Sequence, residues 1–248
     1  MVVPNKEAWV TGVDTSVIAL DIAQFFPSLN HNALVTILHR AGFNRKLVSF
    51  FSSYLVDRRT SYTWGNFTSP AFDCDVGVEQ GSALSPILSS LYLSPAMWAF
   101  YKHLVVSDSK LISYVDDATL IAQSPTTLEN NLKLWFAYRI FVQMLTDLGL
   151  VVEHSKTKLF HFSCKRNPPN PPIDLGVLPY IGANLLTPNT FWHYLGFYFD
   201  RNLPLKSMFA FMLLSLSLPV RHCACLVTLS EAYLPISNAS STSLAYYW

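Results

Sequence analysis

The amino-acid sequence predicts an α+β domain in which an antiparallel sheet packs on helices. Three observations carry this prediction. Short apolar runs of strand length stand at Ser16–Ile22, Leu111–Val115 and Ala118–Ala122, the last two close enough to pair as a hairpin. Longer segments repeat apolar residues at helical spacing, as in Arg45–Val56 with Leu47, Val48, Phe50, Phe51, Tyr54 and Leu55. Hydrophobic residues make up 51% of the chain and charged residues only 13%, which supplies a core and leaves little solvated surface. At 248 residues the chain accommodates one domain or two small ones.

The elements follow in order. Ser16–Ile22, SVIALDI, is a β-branched strand interrupted near its carboxyl end by Asp21. Beyond Ala23-Gln24-Phe25-Phe26-Pro27-Ser28, Asn30 caps a helix over His31–Ala41 that Gly42 stops. The Arg45–Val56 helix comes next. Thr60–Thr68 and Ala71–Val78 alternate as a hairpin, with Gly65-Asn66 as a turn. Ser85-Pro86 opens a long helix reaching Leu104, since proline suits the first helical turn. After the Leu111–Ala122 hairpin, Thr126–Leu148 forms a helix ended by Gly149. Asn167–Pro172 is a proline-rich loop, and Phe191–Asp200 closes as a small hairpin. No internal repeat is present.

The chemistry concentrates in Leu111–Ala122, LISYVDDATLIA, where Asp116-Asp117 reads as the two-residue connection between buried strands. Buried flanks hold the tip and aim two carboxylates at one place. They repel unless a partner such as a divalent cation joins them. Asp is also a good turn residue, so a plain solvated turn is the competing reading. Asp21 is costly inside a strand unless paired or metal-bound, and a satisfied core carboxylate is its alternative. Placed side by side, the strand and the hairpin would give a three-carboxylate, two-metal site for phosphoryl or nucleotidyl transfer. The expectation is one antiparallel sheet with Asp21 near Asp116 and Phe26 bordering the same cleft.

Asp21 with Phe26, Gln80-Gly81-Ser82-Ala83-Leu84-Ser85-Pro86 and Tyr114-Val115-Asp116-Asp117 resemble the palm motifs of a reverse transcriptase. Leu148-Gly149-Leu150 followed by Lys156-Thr157-Lys158, and then Tyr194-Leu195-Gly196, continue the likeness in order and spacing. The chain is most similar to the non-LTR (LINE-like) retrotransposon group, in particular fungal forms with a similar DIAQFFPSLNH stretch. The resemblance runs from Asp14 to Pro204.

The resemblance implies an α+β polymerase palm that performs RNA-directed DNA synthesis on an RNA template and DNA primer with deoxynucleoside triphosphates. Asp21, Asp116 and Asp117 would hold two Mg²⁺ (or Mn²⁺) ions about 4 Å apart, with Asp116 ligating directly and Asp117 supporting. Phe26 would lie under the incoming sugar and reject a ribose 2′-hydroxyl; a core phenylalanine is its plain alternative. Gln80, Gly81 and Ser82 would approach the nucleotide and template, or simply cap a helix. Ala83 stands where the family commonly has proline. Lys156 would act near the triphosphate as a proton donor to pyrophosphate, against the reading of a solvated lysine. Tyr114, Tyr194, Leu195 and Gly196 would contact the primer, the last three as a grip hairpin.

Other features limit the reading. A net charge of +1 is low for a chain gripping a duplex, whose phosphates call for a basic channel. Arg40, Arg45, Lys46, Arg58 and Arg59 form a candidate basic patch, or an ordinary solvated helix face. Cys74, Cys164, Cys223 and Cys225 lack paired metal spacing even with His222 nearby, so no zinc site is expected. The apolar run Met208–Val220 is broken by serines and Pro219 and falls short of the roughly 20 residues of a span. With no signal sequence, a reducing intracellular setting is the default, and no membrane partner is expected.

Only twenty residues precede Asp21, which suggests a truncated copy without the fingers. The resemblance stops after Ser207, and MFAFML at Met208–Leu213 can be encoded by the same bases as a frame reading His-Val-Arg-Phe-Tyr-Ala. The expected division is therefore a palm-like domain over 1–207, bearing its motifs in 14–204, and a frameshifted tail over 208–248 without a complete thumb. The isolated chain is expected to be weakly active or inactive. The competing functions are an inert retroelement relic that binds nucleic acid or a partner, and an RNA-templated RNA polymerase palm, against which Phe26 argues.

Overall fold

Alternation along the first strand decides the architecture. The computed structural model describes residues 12–106, 108–163, 165, 167–176, 185–194 and 197–200. Strand β1 (Asp14–Ala23) sends Ile18, Leu20 and Ile22 into the main core, while Val17 faces a second, smaller apolar cluster on the opposite side. A short helix α1 (Phe25–Ser28) follows, entered through Gln24 in the left-handed region at φ 47°. Helix α2 (His31–Arg40) is capped by the Asn30 side chain, which accepts from the Ala33 N–H. Helix α3 (Arg45–Leu55) completes this unit, capped in turn by Asn44.

Four two-residue strands come next: β2 (Arg59–Thr60), β3 (Thr63–Trp64), β4 (Phe67–Thr68) and β5 (Phe72–Asp73). Helix α4 (Ser85–Lys102) is followed by a 3-10 turn at Leu104–Val106, then β6 (Ser109–Tyr114) and β7 (Asp117–Ser124). Helix α5 (Thr127–Asp147) leads to β8 (Val151–Val152), a 3-10 turn at His154–Lys156 and β9 (Lys158–Phe162). The hairpin β10 (Phe191–Tyr194) and β11 (Phe197–Asp200) closes the described part.

The main sheet runs β6-β7-β1-β8, with β9 sharing the β8 edge of β1, and all these pairings are antiparallel. One face packs on the helices through buried Leu34, Leu88, Tyr92, Phe100, Leu134 and Phe141. Phe100 meets Phe141 edge-on at 6.1 Å between ring centres, a favoured aromatic geometry. The other face carries Val17, Phe160 and Phe162, covered by Tyr194 and Phe199 from the β10–β11 hairpin. No helix among the described residues is long and apolar enough to cross a membrane.

Two sequence expectations need correction. The connection between β6 and β7 is Val115-Asp116, and Asp117 is already the first residue of β7, paired with Tyr114. The Thr60–Val78 region is two nested pairs, β3 with β4 about Gly65-Asn66 and β2 with β5 outside it. Val76–Val78 leaves that hairpin: Gly77 N–H donates to Leu29 O at 2.7 Å and Val78 N–H to Phe26 O at 2.9 Å. Main-chain groups of the α1 region thus capture a segment whose alternation had suggested a ladder partner. Within the candidate basic patch, Arg58 pairs with Glu79, and Arg59 with Asp73 at 2.9 Å, so two of its five charges have acidic partners. Residues 195, 196 and 208–248, on which further expectations rest, lie outside the described residues.

Candidate active site

The site begins with a register. Asp21 and Asp117 are direct cross-strand partners of β1 and β7, so their side chains emerge on the same face of the sheet. That face is the one opposite the main helical core, since Asp21 shares its parity with Val17. Asp116 sits in the turn beside them, and its carbonyl accepts from the Ile22 N–H at 3.1 Å. Val115 occupies the left-handed region at φ 56°, where a β-branched residue is strained. This strain accompanies a turn only two residues long, which leaves Asp117 in the ladder opposite Asp21.

A lysine completes the cluster. Lys156 Nζ donates to Asp21 Oδ2 at 2.8 Å, and the Glu153 N–H donates to the Asp21 carbonyl at 2.8 Å. The 3-10 turn at His154–Lys156 therefore holds Asp21 by both main chain and side chain. Tyr138 of α5 anchors the turn through a 2.9 Å hydrogen bond between its hydroxyl and His154 Nδ1. The Asp117 carboxyl is held above the usual carboxylate range, first by burial and then by the charges of Asp116 and Asp21, with Lys156 and Lys158 opposing. The Lys156 ammonium is pushed up by its hydrogen bond to Asp21 and the charge behind it.

This concentration of carboxylate oxygen suits a hard divalent cation, which would relieve the repulsion that raises Asp117. Among the described residues, however, no three His, Cys, Asp or Glu side chains are gathered closely enough to hold an ion as placed. Asp21 is engaged by the ammonium instead.

The remaining expected residues lie around this centre. Phe26 is half-buried in α1, one turn beyond Asp21, against the main core and 6.0 Å from the Phe25 ring. The Val78–Phe26 bond ties that turn to the chain leading into Gln80, Gly81 and Ser82. Gln80 and Gly81 are exposed, Gly81 at φ 97°, while the Ser82 hydroxyl accepts from the Leu84 N–H at 3.3 Å at the start of α4. Tyr114 pairs with Asp117 at the end of β6. Tyr194 is buried, and its phenol is raised by burial, with Thr119 opposing and the Asp117 and Tyr114 charges adding to the rise. Ile121, four residues along β7 from Asp117, packs against the cluster that holds Tyr194 and Phe199, so the closing hairpin lies beside β7. Leu195 and Gly196 lie outside the described residues.

Sequence reasoning missed three contributors. Lys158, opposite Ala19, adds positive charge near Asp117; it stood within the Lys156-Thr157-Lys158 run. His31 Nε2 bonds Gly77 O at 2.6 Å, and Gly77 packs so tightly on Pro27 that a β-carbon would come within 2.8 Å of its main chain. No local pattern announces that contact.

Among solved structures, the chain resembles apo telomerase from Candida tropicalis truncated from its C-terminal domain, with a TM-score of 0.51 and 17% identity over 76% of this chain and 34% of that one. It also matches Candida tropicalis telomerase in complex with a TWJ fragment of telomeric RNA, with a TM-score of 0.45 and 18% identity over 60% of this chain and 26% of that one. The chain spans well under half the length of either. No curated protein matches it in sequence. The model of the reverse transcriptase (RNA-dependent DNA polymerase) family matches residues 3–199, across the antiparallel sheet, its helices and the paired aspartates. The mixed helix and antiparallel-sheet architecture is an α+β, palm-like polymerase fold, and the chain belongs to the reverse transcriptase family.

Proposed function

We propose that this chain is the palm of a non-LTR retrotransposon reverse transcriptase, adding deoxynucleotides to a primer 3′-hydroxyl on an RNA template. The observation that carries the reading is the register of Asp21 opposite Asp117, with Asp116 bonded through its carbonyl to Ile22. Asp21, Asp116 and Asp117 would hold Mg²⁺ or Mn²⁺. When bound, such ions lower the pKa of the attacking hydroxyl and stabilise the leaving oxygens. The protein's own part is to orient: α1 would present Phe26 to the sugar, and Gln80, Gly81 and Ser82 would border the nucleotide and template. Tyr114 and the hairpin with Tyr194, Leu195 and Gly196 would position the primer. In this reading residues 1–207 form the working domain and 208–248 a frameshifted tail.

A second reading, a palm that binds nucleic acid or a partner without polymerising, draws on a specific observation: Lys156 is bonded to Asp21 and no ready-made ion cage stands among the described residues. Primer extension on an RNA template with Mg²⁺ or Mn²⁺ separates the two. Slow incorporation of deoxynucleotides that Asp116→Asn abolishes is the expected outcome. No incorporation under any condition, with RNA–DNA binding retained, selects the second reading.

A further inference from the structure

We infer that Lys156 is an internal counter-cation which a divalent ion must displace from Asp21, so that this lysine sets the ion affinity of the carboxylate cluster. The inference rests on the ion-binding reading of Asp21, Asp116 and Asp117 proposed above. Its basis is the 2.8 Å contact between Nζ and Oδ2, made across 135 residues of sequence. The contact is built in from both sides. The 3-10 turn carrying Lys156 is bonded to the Asp21 main chain through Glu153 and to α5 through His154.

The two partners differ in freedom. The Asp21 side chain is 19% exposed and fixed in β1, whereas that of Lys156 is 64% exposed on a flexible stem. An ammonium so placed leaves for solvent readily, while the carboxylate stays. The ammonium compensates part of the repulsion among three carboxylates, and a doubly charged ion compensates more of it. Both cations would draw on the same carboxylate, that of Asp21, whose Oδ2 the ammonium holds. A unit positive charge next to an ion site weakens binding of a second cation by electrostatics alone.

Mn²⁺ titration of the full chain, followed by electron paramagnetic resonance, tests this in wild type, Lys156→Met, Asp116→Asn and the double variant. Lys156→Met is expected to bind Mn²⁺ on the order of ten-fold more tightly than wild type, in a manner abolished by Asp116→Asn. In chelator the same variant should melt below wild type, and Mn²⁺ should raise its melting temperature by the larger increment. Equal or weaker Mn²⁺ binding in Lys156→Met, with wild-type binding still sensitive to Asp116→Asn, overturns the inference and leaves the ion-binding reading standing. Absence of any binding sensitive to Asp116→Asn overturns both.

Discussion

Gly77 shows how one residue can shape the surroundings of a site from a distance. It sits at φ 84°, bonds Leu29 O through its N–H and accepts from His31 through its carbonyl, with Pro27 pressed against its α-carbon. A β-carbon there meets the Pro27 main chain, which cannot swing away as a side-chain tip would. Gly77→Ala is therefore expected to cost about 1–3 kcal/mol of stability, measured by urea unfolding. A loss under about 0.5 kcal/mol would show that Val76–Val78 is not seated on α1. Val115 is the opposite case, a β-branched residue kept in the left-handed region where the turn leaves Asp117 opposite Asp21.

The helices and strands are locked to one another by a few buried polar contacts. Tyr92 of α4 is fully buried, and its hydroxyl donates to Leu148 O at the end of α5 at 2.6 Å. Removing the donor leaves a carbonyl in the core without it, so Tyr92→Phe should lose about 1–2 kcal/mol. Burial raises the Tyr92 phenol above its ordinary value. Its folded pKa thus exceeds its unfolded one, so its contribution is complete below about pH 10 and is lost as pH rises through the folded value. Stability measured against pH should fall less steeply above pH 10 in Tyr92→Phe than in wild type; parallel alkaline limbs would contradict this. At the far end of β1, buried Asp14 is held by Ser163 and by Lys165 at 2.8 Å, which anchors the strand opposite the Asp21 end.

At the scale of the whole molecule, the sheet has two unlike faces. Helices α2, α4 and α5 seal one, and the other carries the carboxylates beside the cluster under the β10–β11 hairpin. This division leaves the carboxylates on the side away from the main helical core, the side from which the proposed reaction would be served. If 208–248 is a frameshifted tail, it contributes no matched packing surface. A chain ending at Ser207 should then keep the melting temperature of the full chain to within a few degrees, and its solubility should be equal or better. A large fall in melting temperature would assign the tail a packing role and end the frameshift proposal.

The sequence by itself determined the main strands and helices and the order of the motifs along the chain, because both are local. Period-two and helical spacing, caps such as Asn30, Asn44 and Thr126, and the glycine stop at Gly149 operate within a few residues. The helix spans His31–Arg40, Arg45–Leu55 and Thr127–Asp147 accordingly fall within a residue or two of expectation. Tertiary structure alone decided the rest. The one-residue shift that makes Val115-Asp116 the turn depends on pairing with β1, which bonds Asp116 O. The pairing of Arg58 with Glu79 and of Arg59 with Asp73, and above all the meeting of Lys156 with Asp21 across 135 residues, join charges that no local pattern couples. Charge is visible in a sequence, but its partner is chosen by where the backbone brings it.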